Sequence, residues 1–454
     1  MVEKTHQRLI FNLKYLFKGL VCCVFLQTAL WGFRAEAQEI RLISDEETEA
    51  FLADVVQPLF NAADIPFARD RLYIVEDNSL NAFVAEGNRL FVHTGTLIRA
   101  DSVNELAGVL AHETGHIMGG HILRQKLKAQ EMQSVSLISA ILAGTTAVLS
   151  GRGDAAMAVL IGGQSSALAN FTRYRADEER AADEAAVTLL AQTKQSPKGL
   201  LEFMKKISRD NQLSGIEETP YFRTHPVTRE RIAFFDKETT ASSGSTTSPL
   251  ESSFLRVKAK LKAYLMTPEA TFRAYPADRQ DVPALYARAI ANLKKPNFKQ
   301  ALVLMDDLLS KEPNNPYFYE LQGQILLETG ALSKAKASFA KACALLPNSP
   351  LMQLNYAQTL LEDNPDKAAA QKAVSLLTRA LVSSKSPDGF MLLSKAYGLS
   401  GDMAAANYAA AEYSYGIGNT DAARRQLKEA LKYKTSPQLK LKINDLDMRL
   451  KAEK

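Results

Sequence analysis

The sequence predicts a mainly α protein in two parts, an α+β domain with a small sheet beside an H-E-x-x-H helix and a C-terminal α-solenoid. Three observations carry this. Residues 102–121, SVNELAGVLAHETGHIMGGH, place apolar side chains at helical spacing; two short runs rich in β-formers precede them; and small residues and prolines recur with a period of 34 in the C-terminal half of the chain. A chain of 454 residues, 46% hydrophobic and 23% charged, is ordinary globular material, long enough for two or three domains.

The formal net charge is +5, and much of it belongs to residues 1–37, where Lys4, Arg8, Lys14, Lys18 and Arg34 face only Glu3 and Glu36. Without them 50 basic groups stand against 48 acidic ones, a balance that gives no footing for nucleic acid. The same residues have the grammar of a secretory signal peptide: a basic segment to Lys18, an apolar run from Leu20, then Ala35-Glu36-Ala37 before Gln38. Cleavage is expected after Ala37, a retained membrane anchor being the alternative. A lipoprotein reading is weaker, because apolar residues continue past Cys22 and Cys23. The mature chain would keep Cys343 alone and hence no internal disulfide, although an exported compartment permits one.

From Glu46 to about Asn61, TEAFLADVVQPLFNAA is apolar at helical spacing, with Pro58 as a kink or boundary. RLYIVED at 71–77 and NAFVAEGNRLFVHTG at 81–95 read as strands, the second punctuated by Gly87-Asn88. An edge strand of this sheet, lying along a cleft, could pair with an extended peptide through main-chain hydrogen bonds, and Asn81, Ala82 and Phe83 are the candidate substrate-binding residues. His93 in the same run is expected to pack rather than to bind a metal.

Ser102 and Glu105 form an S-x-x-E capping box, and no proline interrupts the helix that follows. Four residues apart, His112 and His116 lie on one face, one turn from each other, where both imidazoles can reach a single ion at roughly 2.0–2.1 Å. Glu113 sits beside them, placed to take a proton from water at the metal rather than to bind it. The expected ion is Zn2+, one per chain.

Residues 135–150 and 155–171 are two apolar runs separated by GRGD, near the lower limit for spanning a bilayer and diluted with Gly, Ser and Thr. A helical hairpin packed on the domain or touching the membrane surface is preferred over a spanning one, and it could lie over the cleft as a lid. A third metal ligand is then expected on the helix RYRADEERAADEAAVTLL, 173–190. Glu179 and Asp183 share a face at four residues' separation, so the first can bind the ion while the second holds a ligand histidine in its tautomer. Glu178 is the alternative ligand. His121, nine residues after His112, projects from the opposite side of a helix and is not expected as a ligand.

The order NAFVAEG, HETGH with a further His121, ERAADEAA and finally THPVTRERI at 224–232 resembles the zinc metallopeptidases related to HtpX and the CaaX prenyl protease, over roughly residues 40–235. The resemblance implies His112 and His116 as zinc ligands, Glu113 as general base, Glu179 as glutamate ligand and Asp183 as the acid behind a ligand. It further implies that His225 steadies the oxyanion or occupies the water position in a latent state, with Arg231 following at the family spacing. One departure stands out. Where the family has Ser-Arg shortly before its glutamate, this chain has Arg175 and Ala176.

Residues 236–253, DKETTASSGSTTSPLESS, are apolar-poor and read as a flexible linker, dividing a peptidase domain at 38–235 from a repeat domain at 254–454. In the latter, Ala301 and Ala335, Met305 and Phe339, Leu308 and Ala342, and Pro313 and Pro347 are each 34 residues apart, and Ala289 and Gly323 keep the same register. This is similar to tetratricopeptide repeats, stacked helix pairs that curve into a concave surface for peptides or proteins. A third unit, with about four extra residues near EDNPDK, runs from Pro350, and others follow.

The expected activity is that of an exported zinc metalloendopeptidase with a chaperone-like role, hydrolysing peptide bonds of misfolded or stalled proteins. The alternative is a largely latent zinc-binding scaffold acting through its repeats. The combination of export signal, peptidase and repeats is similar to protease-chaperones of β-barrel assembly. That likeness implies outer-membrane protein substrates, a periplasmic location and association with the barrel-assembly machinery through the repeats. Peripheral membrane contact would come from 135–171.

Overall fold

The computed structural model describes residues 41–128, 130, 153–214, 221, 224–384 and 386–452. The expected signal peptide and residues 135–152 of the expected hairpin lie outside the described residues. A short strand β1 (Leu42–Ile43) leads into helix α1 (Glu46–Ala62), capped by Asp45, whose carboxylate accepts from the Thr48 amide. Glu46, Glu47 and Glu49 in its first turn complement the helix dipole. Pro58 does not end this helix. It sits on the exposed face beside exposed Asp54, whose freed carbonyl water can satisfy.

Strands β2 (Leu72–Val75), β3 (Ala82–Ala85) and β4 (Arg89–His93) complete a four-stranded sheet in the order β1-β2-β4-β3. β2 and β4 are parallel; the other two pairings are antiparallel. The turn between β3 and β4 needs left-handed backbone at Gly87 (φ 82°) and Asn88 (φ 56°), which these residue types tolerate. Alternation along the strands buries Leu72, Ile74, Leu90 and Val92 on one face, in a core shared with Phe51, Leu52 and Leu59 of α1.

After a short helix α2 (Thr94–Arg99) comes α3 (Val103–Met118), the H-E-x-x-H helix. Ser102 Oγ accepts from the Glu105 amide, and Glu105 answers the amide of Asp101, one residue before the position a capping box would use. α3 runs through the core, buried from Val103 to His116. Two glycines set its close neighbours: a Cβ at Gly108 would lie 2.7 Å from Leu200, and one at Gly115 would lie 2.8 Å from the carbonyl oxygen of Ala182.

Those neighbours are α4 (Gly153–Gln192) and α5 (Lys198–Ser214). The second apolar run of the expected hairpin and the expected ligand helix are thus one continuous helix of 40 residues. Among the described residues, no helix is long and apolar enough to cross a membrane.

Residues 236–253 are not a free tether. Helix α6 (Arg229–Ala241) continues six residues past the expected boundary at 235. Ser245 then bridges to Gln195 and its carbonyl accepts from Asn104 Nδ2 at 2.8 Å, while Glu251 accepts from the Val103 amide. Polar composition here reflects hydrogen bonding to the peptidase half rather than disorder. Helix α7 (Glu251–Leu265) belongs to both halves: Phe254, Val257 and Leu261 complete the first core, whereas Ala259 and Ala263 enter the next.

The rest is a solenoid: α8 (Pro268–Ala274), α9 (Val282–Lys294), α10 (Phe298–Lys311), α11 (Pro316–Glu328), α12 (Leu332–Leu345), α13 (Pro350–Glu362), α14 (Lys367–Ser383), α15 (Pro387–Ser400), α16 (Met403–Gly416), α17 (Thr420–Ala430) and α18 (Pro437–Ala452). Pro316, Pro350 and Pro387 open their helices at the first position, where the missing N–H costs nothing. At Gly323 a Cβ would meet the Phe339 ring at 2.8 Å, which is why small residues recur there. The array docks on the start of α1 through charge: Lys260 Nζ lies 2.5 Å from Asp45, Arg256 Nε 2.6 Å and Tyr286 Oη 3.0 Å from Glu47, and Ser349 Oγ 2.6 Å from Glu46.

Candidate metal centre

The helix pitch puts His112 and His116 one above the other on α3, their Nε2 atoms 3.1 Å apart. α4 crosses α3 at Gly115, close enough for Glu179 to reach both: its carboxylate lies 3.3 Å from His112 Nε2 and 3.4 Å from His116 Nε2. Thr228 caps α6, and the turn before it delivers His225, whose Nδ1 is 2.9 Å from Glu179 and 3.4 Å from His112 Nε2. One donor atom from each of His112, His116, Glu179 and His225 falls within 4.8 Å of the others, and all four side chains are buried.

Behind these groups stands a second layer. Asp183 Oδ1 is 3.0 Å from His112 Nδ1, and a proton donated there leaves the Nε2 lone pair facing the centre. Arg231 clamps Asp183 through Nε (2.7 Å) and Nη2 (2.8 Å), and reaches Glu179 through Nη1 at 2.9 Å. His116 is held from behind by His121, Nδ1 to Nδ1 at 2.8 Å. Sequence reasoning discarded His121 as a ligand without seeing this supporting contact; its signal was the clustering of histidines in ten residues. Tyr221, buried with its ring 4.7 Å from that of His225, was also missed, since one tyrosine four residues before a histidine carries no motif.

Glu178 points elsewhere, accepting from Gln125 Nε2 at 2.7 Å. His93 lies outside the cluster, bonded to Ser79 and edge-on to Phe83. Asn81, Ala82 and Phe83 stand at the head of β3, one of the two edge strands, which packs on α3.

Electrostatics follow from burial and convergence. Burial works against a charged His112, but Asp183 and Glu179 outweigh it and push the ring up to about 9. Burial likewise opposes ionised Glu179, yet the three surrounding imidazoles hold it far below the ordinary carboxylate range. Burial pushes Glu113 up to about 7 against the pull of His116 and His112, and neither of its oxygens has a hydrogen-bond partner among the described residues. Burial lowers both His116 and His225.

The donor set fits a tetrahedral borderline cation such as zinc. Imidazole nitrogens facing one another at 3.1–3.4 Å around a carboxylate cannot all be satisfied by hydrogen bonds, because such rings share too few protons, but they suit a common ion. His112, His116 and Glu179 could hold it, with His225 at the fourth position.

Residues 46–239 match Peptidase family M48. The chain is 25% identical over 346 residues to the beta-barrel assembly-enhancing protease of Yersinia pestis, covering 74% of this chain and 68% of that one. It is 23% identical to the protein of that name in Escherichia coli (strain K12), with the same coverage. The mitochondrial metalloendopeptidase OMA1 of Danio rerio is 24% identical, covering 45% of this chain and 44% of that one.

Proposed function

We propose that the chain, whose residues 46–239 match peptidase family M48, is a zinc metalloendopeptidase that cleaves unfolded or misassembled outer-membrane proteins. The observation that supports it is the convergence of His112, His116 and Glu179 beside a buried Glu113 whose oxygens accept no hydrogen bond among the described residues. Zinc, when bound, supplies Lewis acidity and makes water in the site acidic enough to ionise near neutral pH. Glu113 takes the proton of the attacking water on a carboxylate oxygen and returns it to the leaving amine nitrogen. Burial raises the Glu113 carboxyl above the ordinary carboxylate range, which favours its taking up that proton. Asp183 keeps His112 oriented, and Arg231 fixes Asp183 and Glu179 together. His225, with Nε2 3.6 Å from Glu113, steadies negative charge on the carbonyl oxygen of the substrate. The edge of β3, which has no further strand partner among the described residues, aligns the chain to be cut.

The relatives named for β-barrel assembly support outer-membrane clients, and the Ala35-Glu36-Ala37 leader supports a periplasmic location. The solenoid would recruit the barrel-assembly machinery.

The test is Glu113→Gln. Metal content is expected to stay at one zinc per chain while cleavage of casein falls by at least about a hundredfold. Undiminished cleavage by the variant would defeat the assignment. A second reading, a latent scaffold, is favoured by His225 already standing within the donor cluster. If Glu113→Gln restores outer-membrane assembly in a deletion strain as well as the wild type, the scaffold is the working function.

A further inference from the structure

The sheet face turned away from the core carries a row of aromatic rings. Tyr73, Phe91 and Phe83 lie side by side across β2, β4 and β3, because Tyr73 pairs with Phe91 and Phe91 with Phe83 in register. Their centroids are 4.8 Å apart at both steps, with interplanar angles of 15° and 7°. All three are only partly buried. Such stacking is worth something beyond burial alone, so a row that stops at an open strand has a favourable position left beyond it.

β3 is that open strand: among the described residues β4 is its one partner. The His93 amide donates to the carbonyl of Asn81, so Asn81 and, two residues on, Phe83 turn their main-chain groups towards β4. Ala82 and Val84 therefore direct theirs to the free edge. An antiparallel chain bonding to Ala82 and Val84 places one residue opposite Phe83 in a non-hydrogen-bonded pair, where the two Cα atoms are about 4.5 Å apart and side chains are nearest.

We propose that the peptidase selects extended segments bearing a Phe, Tyr or Trp side chain at the position opposite Phe83, which adds a fourth ring to the row. This rests on the reading of β3 as the substrate-pairing edge and names the specificity of that edge. Membrane-barrel strands, which alternate apolar with polar residues and are girdled by aromatics, present such segments when unpaired.

The experiment uses full-length Glu113→Gln, so that binding is read without cleavage, and labelled extended host peptides in which Phe, Leu or Ala is moved one position at a time. Fluorescence anisotropy should show one position where Phe binds roughly two- to tenfold more tightly than Leu. Phe83→Leu in the same background should level that difference, and Phe83→Tyr should retain it; the melting temperature of each variant establishes that it is folded. Equal binding of Phe and Leu peptides at every position, no binding of any peptide, or a preference that survives Phe83→Leu would overturn the proposal. If casein cleavage by the wild type persists alongside such a result, the aromatic preference fails and the peptidase reading stands.

Discussion

Adjacent carboxylates on one helix have different fates here, and the difference is about 100° of rotation. Glu179 faces the two histidines while Glu178 is turned to Gln125. The i,i+4 relation of Glu179 to Asp183 pointed to this choice but could not decide it, since phase relative to α3 is set by packing. Glu179→Gln is expected to lower zinc content and affinity well over tenfold, and Glu178→Gln to leave both close to wild type. Metal analysis with a competing chelator reads this, and equal losses would mean that the carboxylates share the ion. His225 and Arg231 entered through resemblance alone; a histidine before a turn proline has no local signature. Its place in the cluster arises because Thr228 starts α6 at the point that swings the preceding loop over α3.

Helices α3 and α4 show how a backbone contact holds a site. Gly115 lies between the two histidines, and the nearest atoms to its missing side chain are backbone atoms of Ala182, next to Asp183. A methyl there cannot be relieved by a rotamer change, so the helices must separate. Gly115→Ala is expected to cost roughly 1–3 kcal/mol of stability and to weaken metal binding with it. Denaturant melts with and without zinc measure both, and an unchanged affinity would show that the crossing tolerates the shift. α3 itself was legible down to its cap because Ser102 and Glu105 act within one turn. The 40-residue α4 was not, because the composition change near residue 172 reads as a break although the backbone continues through it. Strand β1 was missed as well: two residues carry no period.

At the scale of the molecule, the solenoid is joined to the peptidase by buried ions, and pH should act on that junction. Glu320, on α11, lies in the same region; burial pushes its carboxyl from 4.5 up to about 7, only partly offset by Lys260. An acid whose folded pKa is raised favours folding in its protonated form. Its contribution is full below 4.5, declines as pH rises, and is gone above about 7. Glu320→Gln is therefore expected to change stability little near pH 4.5 and to raise it by on the order of 2–3 kcal/mol at about pH 8. Urea melts at the two pH values check this, and an equal effect at both would remove the cause given. The opposing case is Asp45: burial pushes it up, but Lys260 holds it below 3.8, so its contribution persists above that value and is lost as pH falls further.

The amino-acid sequence by itself determined what depends on near neighbours: the capped helix with two histidines on one face, the Gly-Asn hairpin, and the 34-residue rhythm of the repeats. Each follows from backbone geometry acting over a few residues or from one unit repeated. Only the tertiary structure decided which carboxylate meets the histidines, that His225 joins them from 109 residues beyond His116, that Ser245 and Glu251 bond to the peptidase half, and that α7 belongs to both cores rather than to a tether. Those outcomes depend on how helices rotate and cross as they pack, and distant packing leaves no local period in the chain.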